Sequence, residues 1–112
     1  MKLVTYSDKS VLLGDEAADY LVRFAAFIAD KGRAEAISLN VIASDGELIV
    51  TSFVLGTGIG LMAESTASAL PEPDNRECID YMNDKMELLT APSRAIPAAE
   101  PWPTDDGLGD SL

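Results

Sequence analysis

Asp45-Gly46 separates two β-prone runs, Ala36–Ala43 and Leu48–Leu55, and no other feature limits the fold of this chain as strongly. A two-residue hairpin loop needs positive φ at both central positions, which Asp-Gly tolerates, so the two runs are expected to pair antiparallel. With Asp45 and Gly46 as the loop, Val41 lies opposite Val50, Leu39 opposite Ser52 and Ile37 opposite Val54, all facing the core. The reverse face then holds Ser38, Asn40 and Thr51, but also Ile42 opposite Ile49, with Phe53 and Leu55 farther along. Ile42, Ile49, Phe53 and Leu55 make that face too apolar to be wholly solvated. Either a helix or a second copy of the chain is expected to cover it, the latter giving a homodimer.

The flanking segments supply the remaining elements. Leu3–Tyr6 and Ser10–Leu13, around Ser7-Asp8-Lys9, read as a small hairpin or one irregular strand. Asp15 is placed to cap a helix in which Leu21, Phe24, Phe27 and Ile28 recur at helical spacing, and Gly32 is placed to end it. The middle of this helix is apolar almost all round apart from Arg23, which predicts extensive burial. Beyond Gly56-Thr-Gly-Ile-Gly60, the segment Leu61–Thr66 is expected to return as a third strand of the meander. Asp74, with Glu77 three residues on, reads as a capping box opening a second helix to about Leu89. Ile79, Met82, Met86 and Leu89 form its apolar stripe, while Glu77, Asp80, Asp84 and Glu87 lie elsewhere around it. The fold class is therefore α+β. A small, mainly antiparallel sheet, made of the Ala36–Leu55 hairpin with short N-terminal and third strands, packs with two helices.

The folded unit is expected to be one domain, residues 1–89. Residues 90–112 hold four of the six prolines and no apolar periodicity, the composition of a flexible, proline-rich acidic tail. Cys78 is the only cysteine, which rules out an intramolecular disulfide and suits a reducing compartment. Neither a signal-peptide pattern nor a stretch approaching about 20 apolar residues is present, so a cytoplasmic protein without membrane partners is expected.

Charge narrows the functional classes. Nineteen acidic residues face eight basic ones, the formal net charge is −11, and histidine is absent. Without imidazole there is no Ser-His or Cys-His nucleophile and no His-ligated metal, and the excess negative charge repels phosphate backbones and anionic lipid. Nucleic acid is thereby disfavoured as a partner, and a basic protein surface is favoured.

Three motifs invite sharper chemistry. Glycines after a strand, as in Gly56-Thr-Gly-Ile-Gly-Leu61, let backbone N–H groups approach a phosphate, but a dinucleotide fingerprint needs a crossover helix and a parallel neighbour. These six residues resemble the second glycine box of the histidine-kinase-type ATPase family. The family's metal-binding asparagine motif and aspartate-containing glycine box have no counterpart, so a bulge or tight turn is the expected role. The acids Glu64, Glu72, Asp74, Glu77, Asp80, Asp84 and Glu87 lack the spacing of a calcium loop and read as a solvated face, so no metal or cofactor is expected. Cys78 near a helix start reads as a half-buried thiol. The expected function is a small non-enzymatic protein-interaction module of the inhibitor, immunity-type or nucleic-acid-mimic class. It would meet a basic partner through Glu77, Asp80, Asp84, Glu87 and the proline-flanked Trp102. The competing expectation is a small-ligand-binding domain or carboxylate-dependent enzyme with its site near Gly56–Gly60.

Overall fold

The first two apolar runs form a hairpin. β1 (Lys2–Tyr6) and β2 (Lys9–Leu13) pair antiparallel from Lys2↔Leu13 to Tyr6↔Lys9, with Ser7 at φ 59 in the connecting turn. The computed structural model describes residues 1–90, so the expected tail beyond Thr90, with Trp102, lies outside the described residues.

Helix α1 (Asp15–Asp30) follows directly. Its N-cap is Gly14, without a side-chain cap, rather than Asp15. Asp15 instead sits in the first turn beside Glu16, where the helix dipole favours carboxylates, and pairs with the terminal amine of Met1 at 3.1 Å. The helix ends as its spacing predicts. Arg33 N–H donates to the Ile28 carbonyl and Gly32 N–H to that of Ala29, the paired bonds of a Schellman motif around Gly32 at φ 67. Leu21, Phe24 and Ile28 are fully buried.

The predicted hairpin is present as β3 (Glu35–Ile42) and β4 (Leu48–Leu55), but one residue out of the expected register. Ile37 faces Phe53, Leu39 faces Thr51, Val41 faces Ile49 and Asn40 faces Val50. The cause is the loop. Only Gly46 takes positive φ, at 87, while Asp45 does not, so a two-residue loop of the expected kind is excluded. Gly46 N–H instead donates to the Ala43 carbonyl and Ala43 N–H to that of Glu47, closing a three-residue loop that adds one position to the turn. Asp45 helps by accepting the Glu47 N–H on Oδ1 at 3.0 Å. A one-residue shift exchanges the faces of β4. Phe53 (2% exposed) and Leu55 (0%) enter the core, whereas Val50 (68%) and Val54 (54%), expected inside, point to solvent.

β5 (Leu61–Ser65) also departs from the expected meander, pairing with β1 from Lys2↔Ser65 to Tyr6↔Leu61 rather than with β4. The sheet is five-stranded in the order β4-β3-β2-β1-β5, with every pairing antiparallel. β4 and β5 are thus consecutive in the chain yet at opposite edges. A flat five-stranded sheet would separate them by about 19 Å. The five linking residues reach at most about 20 Å fully extended, and they contain a turn closed by Ile59 N–H to the Gly56 carbonyl, so the sheet must curl. The curl is centred where β2 and β3 meet, through a single bridge between Leu12 and Ile42. Across it, the rings of Tyr6 (β1) and Phe53 (β4) meet edge to face at 5.6 Å, and Tyr6 Oη donates to the Val54 carbonyl.

Helix α2 (Arg76–Thr90) lies beside α1. Both helices cover one face of the sheet, and the core joins Val4, Val11, Leu13, Ile37, Leu39, Val41, Phe53 and Leu55 to Leu21, Phe24, Ile28, Ile79 and Met82. On the opposite face, Leu48 (65% exposed), Val50 and Val54 of β4 and Met62 of β5 are open, alongside a Ser38–Ser52 hydrogen bond. The fold is thus α+β, with two helices on one side of an antiparallel sheet. No described helix is long and apolar enough to cross a membrane.

Gly58 occupies the third position of the Gly56–Ile59 turn with φ 84, and an added Cβ there meets nothing within 4 Å. Gly58→Ala is therefore expected to cost about 1 kcal/mol through backbone strain alone. Urea denaturation checks this, and a substitution without effect would show that the turn has no need of glycine.

Candidate functional site

Helix α2 is held in place at its first turn. Where β2 diverges from β3, the backbone of Asn40 has no strand partner on that side, and the Asn75 side chain takes the strand's role. Its Oδ1 accepts the Asn40 N–H and its Nδ2 donates to the Asn40 carbonyl, each at 2.8 Å. Asn40 returns a third bond through Nδ2 to the Asp74 carbonyl at 2.8 Å. Asn75 is the one buried polar residue among those described, and these bonds satisfy its amide. Its own carbonyl accepts the Ile79 N–H, so Asn75 is the first capping residue of α2. Asp74, expected to cap through a box with Glu77, instead accepts the Arg76 N–H on Oδ1.

That anchor fixes which way α2 faces. Ile79 and Met82 point into the core, so Glu77, Asp80, Asp84 and Glu87, spaced by three, four and three residues, form one exposed stripe on the far side. Of the two basic residues of the helix, Arg76 pairs with one member of the stripe and with α1, and Lys85 turns to the other flank. Arg76 donates both terminal nitrogens to Glu16 of α1 at 3.3 and 3.4 Å and lies 3.4 Å from Asp80 through Nε. Its pKa is raised, chiefly by the Glu16 hydrogen bonds. Lys85 is engaged on the other flank by the Tyr81 hydroxyl and by Glu35 of β3 at 3.3 Å, and both raise its pKa. Among the described residues, Glu77, Asp84 and Glu87 have no ion-pair partner. The acidic ridge is therefore that of α2 alone, because Asp15, Glu16 and Asp19, exposed on α1, are each ion-paired, with the Met1 terminal amine, Arg76 and Lys2 respectively.

The residues expected for self-association do not share a surface. Phe53 and Leu55 are core residues under the helices, Ile49 faces the helix side opposite Val41, and only Ile42 lies on the reverse face, where it is 6% exposed. The one-residue register shift accounts for three of these placements. Leu3, Leu12, Ala43 and Leu70 surround Ile42 in a shallow depression of about 280 Å³.

At Gly56–Gly60 the chain backs onto Val22, Ala25, Ala26 and Ala29 of α1 and continues into a strand, so no helix N-terminus adjoins the loop to receive a phosphate. Cys78 is half-buried, and burial pushes its thiol pKa up, leaving a weak nucleophile beside a polar groove of about 390 Å³ between β3 and the start of α2. No group of three or more acidic or cysteine side chains among the described residues is placed to hold a metal ion.

Sequence reasoning placed the acidic stripe but missed Asn75. Asparagine directly before an apolar-periodic run is a capping signal. Its pairing with a backbone 35 residues earlier in the chain leaves no local trace. Comparison of the chain with protein-family models, with curated proteins and with solved structures finds no match.

Proposed function

We infer that this protein is a non-enzymatic interaction module whose acidic ridge receives a basic protein surface. The observation supporting this is the stripe Glu77-Asp80-Asp84-Glu87, turned outward by the Asn75 anchor, in which Arg76 pairs with Asp80 and Lys85 is engaged by Glu35, leaving Glu77, Asp84 and Glu87 without an ion-pair partner among the described residues. Exposed carboxylates of this kind add little to the stability of their own fold. They are effective at steering an oppositely charged partner, accelerating encounter more than they deepen affinity. Inhibitors and immunity-type proteins that block a basic active site or a nucleic-acid-binding surface use this chemistry.

A pull-down from native lysate with wild-type protein and with the Asp80→Lys/Asp84→Lys variant tests the reading. Both side chains are exposed, so the variant is expected to keep its fold while losing a basic prey. With the recovered partner, the association rate is expected to fall by at least about tenfold between low salt and 1 M salt, where the Debye length is about 3 Å. A rate independent of salt, or a partner whose contact surface is acidic, would refute the proposal.

A further inference from the structure

The outer edge of β4 is built to accept another strand. In β3, Asn40 directs both its N–H and its C=O away from β4, toward Asn75, and its partner across the ladder is Val50. In an antiparallel ladder the two residues of such a pair both turn their backbone groups outward, and the pattern repeats every second residue. Leu48, Val50 and Ser52 therefore present N–H and C=O at the free edge, and none of these groups has a protein partner among the described residues. Within β4 itself the side-chain devices that protect natural edge strands are missing. From Leu48 to Leu55 there is no charged residue, no proline and no glycine, and Leu48 and Val50 are 65% and 68% exposed.

We propose that a second copy of this chain occupies this edge. The two β4 strands pair antiparallel about a two-fold axis at Val50, and Leu48 lies opposite Ser52 of the partner subunit. The register follows from the groups that are free. A pairing centred on Ser52 would need the Val54 carbonyl, which already accepts from Tyr6 Oη, whereas one centred on Val50 uses Leu48, Val50 and Ser52 alone. Charge selects the occupant. A basic partner finds no carboxylate on β4, while an identical uncharged strand meets no repulsion there. The nearest acid, Glu47, lies three residues from the axis, which puts the two copies of it about 20 Å apart, well beyond a Debye length of about 8 Å at physiological salt. The acidic ridges stay on the helix side of a continuous ten-stranded sheet. An eight-residue edge buries less than the roughly 800 Å² per partner of a standard interface, which places the dimer in the weak, transient class.

Sedimentation velocity of the full chain across a concentration series, at low salt and at about 1 M salt, tests this. Salt screens the net repulsion between two acidic chains, so the dimer is expected to strengthen with salt, opposite to the dependence expected for a basic partner. Val50→Lys places two like charges in direct apposition and is expected to weaken the dimer roughly tenfold or more with unchanged far-UV circular dichroism. In a Cys78→Ser background, Val50→Cys is expected to cross-link under oxidising conditions because the two Cα atoms lie about 5.5 Å apart, while Leu48→Cys, displaced from its own copy, is not. A monomer at all concentrations and salts overturns the proposal. So does a dimer that is indifferent to Val50→Lys, or equal cross-linking by both cysteine variants, which would indicate face-to-face packing instead. Failure here leaves the acidic ridge untouched, because its own test depends on Asp80 and Asp84.

Discussion

Phe53→Ala is expected to destabilise the domain by about 3 to 5 kcal/mol, the range for removing a buried aromatic side chain from a packed core. Phe53 is 2% exposed, sits among the residues under α1, and meets the Tyr6 ring edge to face at 5.6 Å. The loss combines the transfer free energy of the ring with a cavity that the curled sheet has little freedom to collapse. It also removes the contact that draws the ends of β1 and β4 together, so the β4–β5 connection is expected to loosen with it. Val50→Ala, three residues earlier in the same strand, is expected to change stability by no more than about 0.5 kcal/mol, because its side chain is 68% exposed. Urea denaturation of the two variants measures the contrast directly. Equal costs, or the reverse ranking, would mean that the hairpin pairs in the register expected for a two-residue loop.

Asn75→Ala is expected to cost about 2 to 4 kcal/mol, although no apolar surface is lost. The substitution leaves the Asn40 N–H and C=O without the partners that satisfy them at 2.8 Å, and an unsatisfied group in a partly buried site costs about 1 to 3 kcal/mol each. Some of that penalty is relieved by water, since Asn40 is only half-buried. Asn75→Asp is expected to fare no better, because a carboxylate keeps an acceptor for the Asn40 N–H but turns a second acceptor toward the Asn40 carbonyl. Hydrogen exchange separates this account from a general weakening of the helix. The Asn40 amide is expected to lose protection in Asn75→Ala at a denaturant concentration where the Leu39 and Val41 amides, bonded within the β3–β4 ladder, keep theirs. Parallel loss across all three amides would assign the effect to global stability.

Local features readable from the chain were those whose cause is local. The first helix followed from the spacing of Leu21, Phe24 and Ile28, and its end from Gly32. The second helix followed from Ile79 and Met82, and with it the outward stripe Glu77-Asp80-Asp84-Glu87, since opposite sides of one helix are settled by periodicity alone. Helix starts were read less well. Both expected caps were aspartates, whereas Gly14 and Asn75 hold those positions, because Asn75 is selected by a backbone it meets only after the sheet has formed.

What the sequence by itself determined was an α+β chain with an antiparallel hairpin around Asp45-Gly46 and an acidic helix face, each the result of propensity or period over a few residues. Strand order, the register of that hairpin and the identity of the bare face were decided only by the tertiary structure. Two loops were open to Asp45-Gly46, and turn chemistry separates them weakly. The three-residue loop turns Ile49, Thr51, Phe53 and Leu55 to the helix side in place of Leu48, Val50, Ser52 and Val54, and Phe53 and Leu55 are the two that become buried. Burying the larger apolar set against α1 and α2 outweighs a preference between turns, because the hydrophobic gain grows with the area removed from water and every side chain of the strand changes face together.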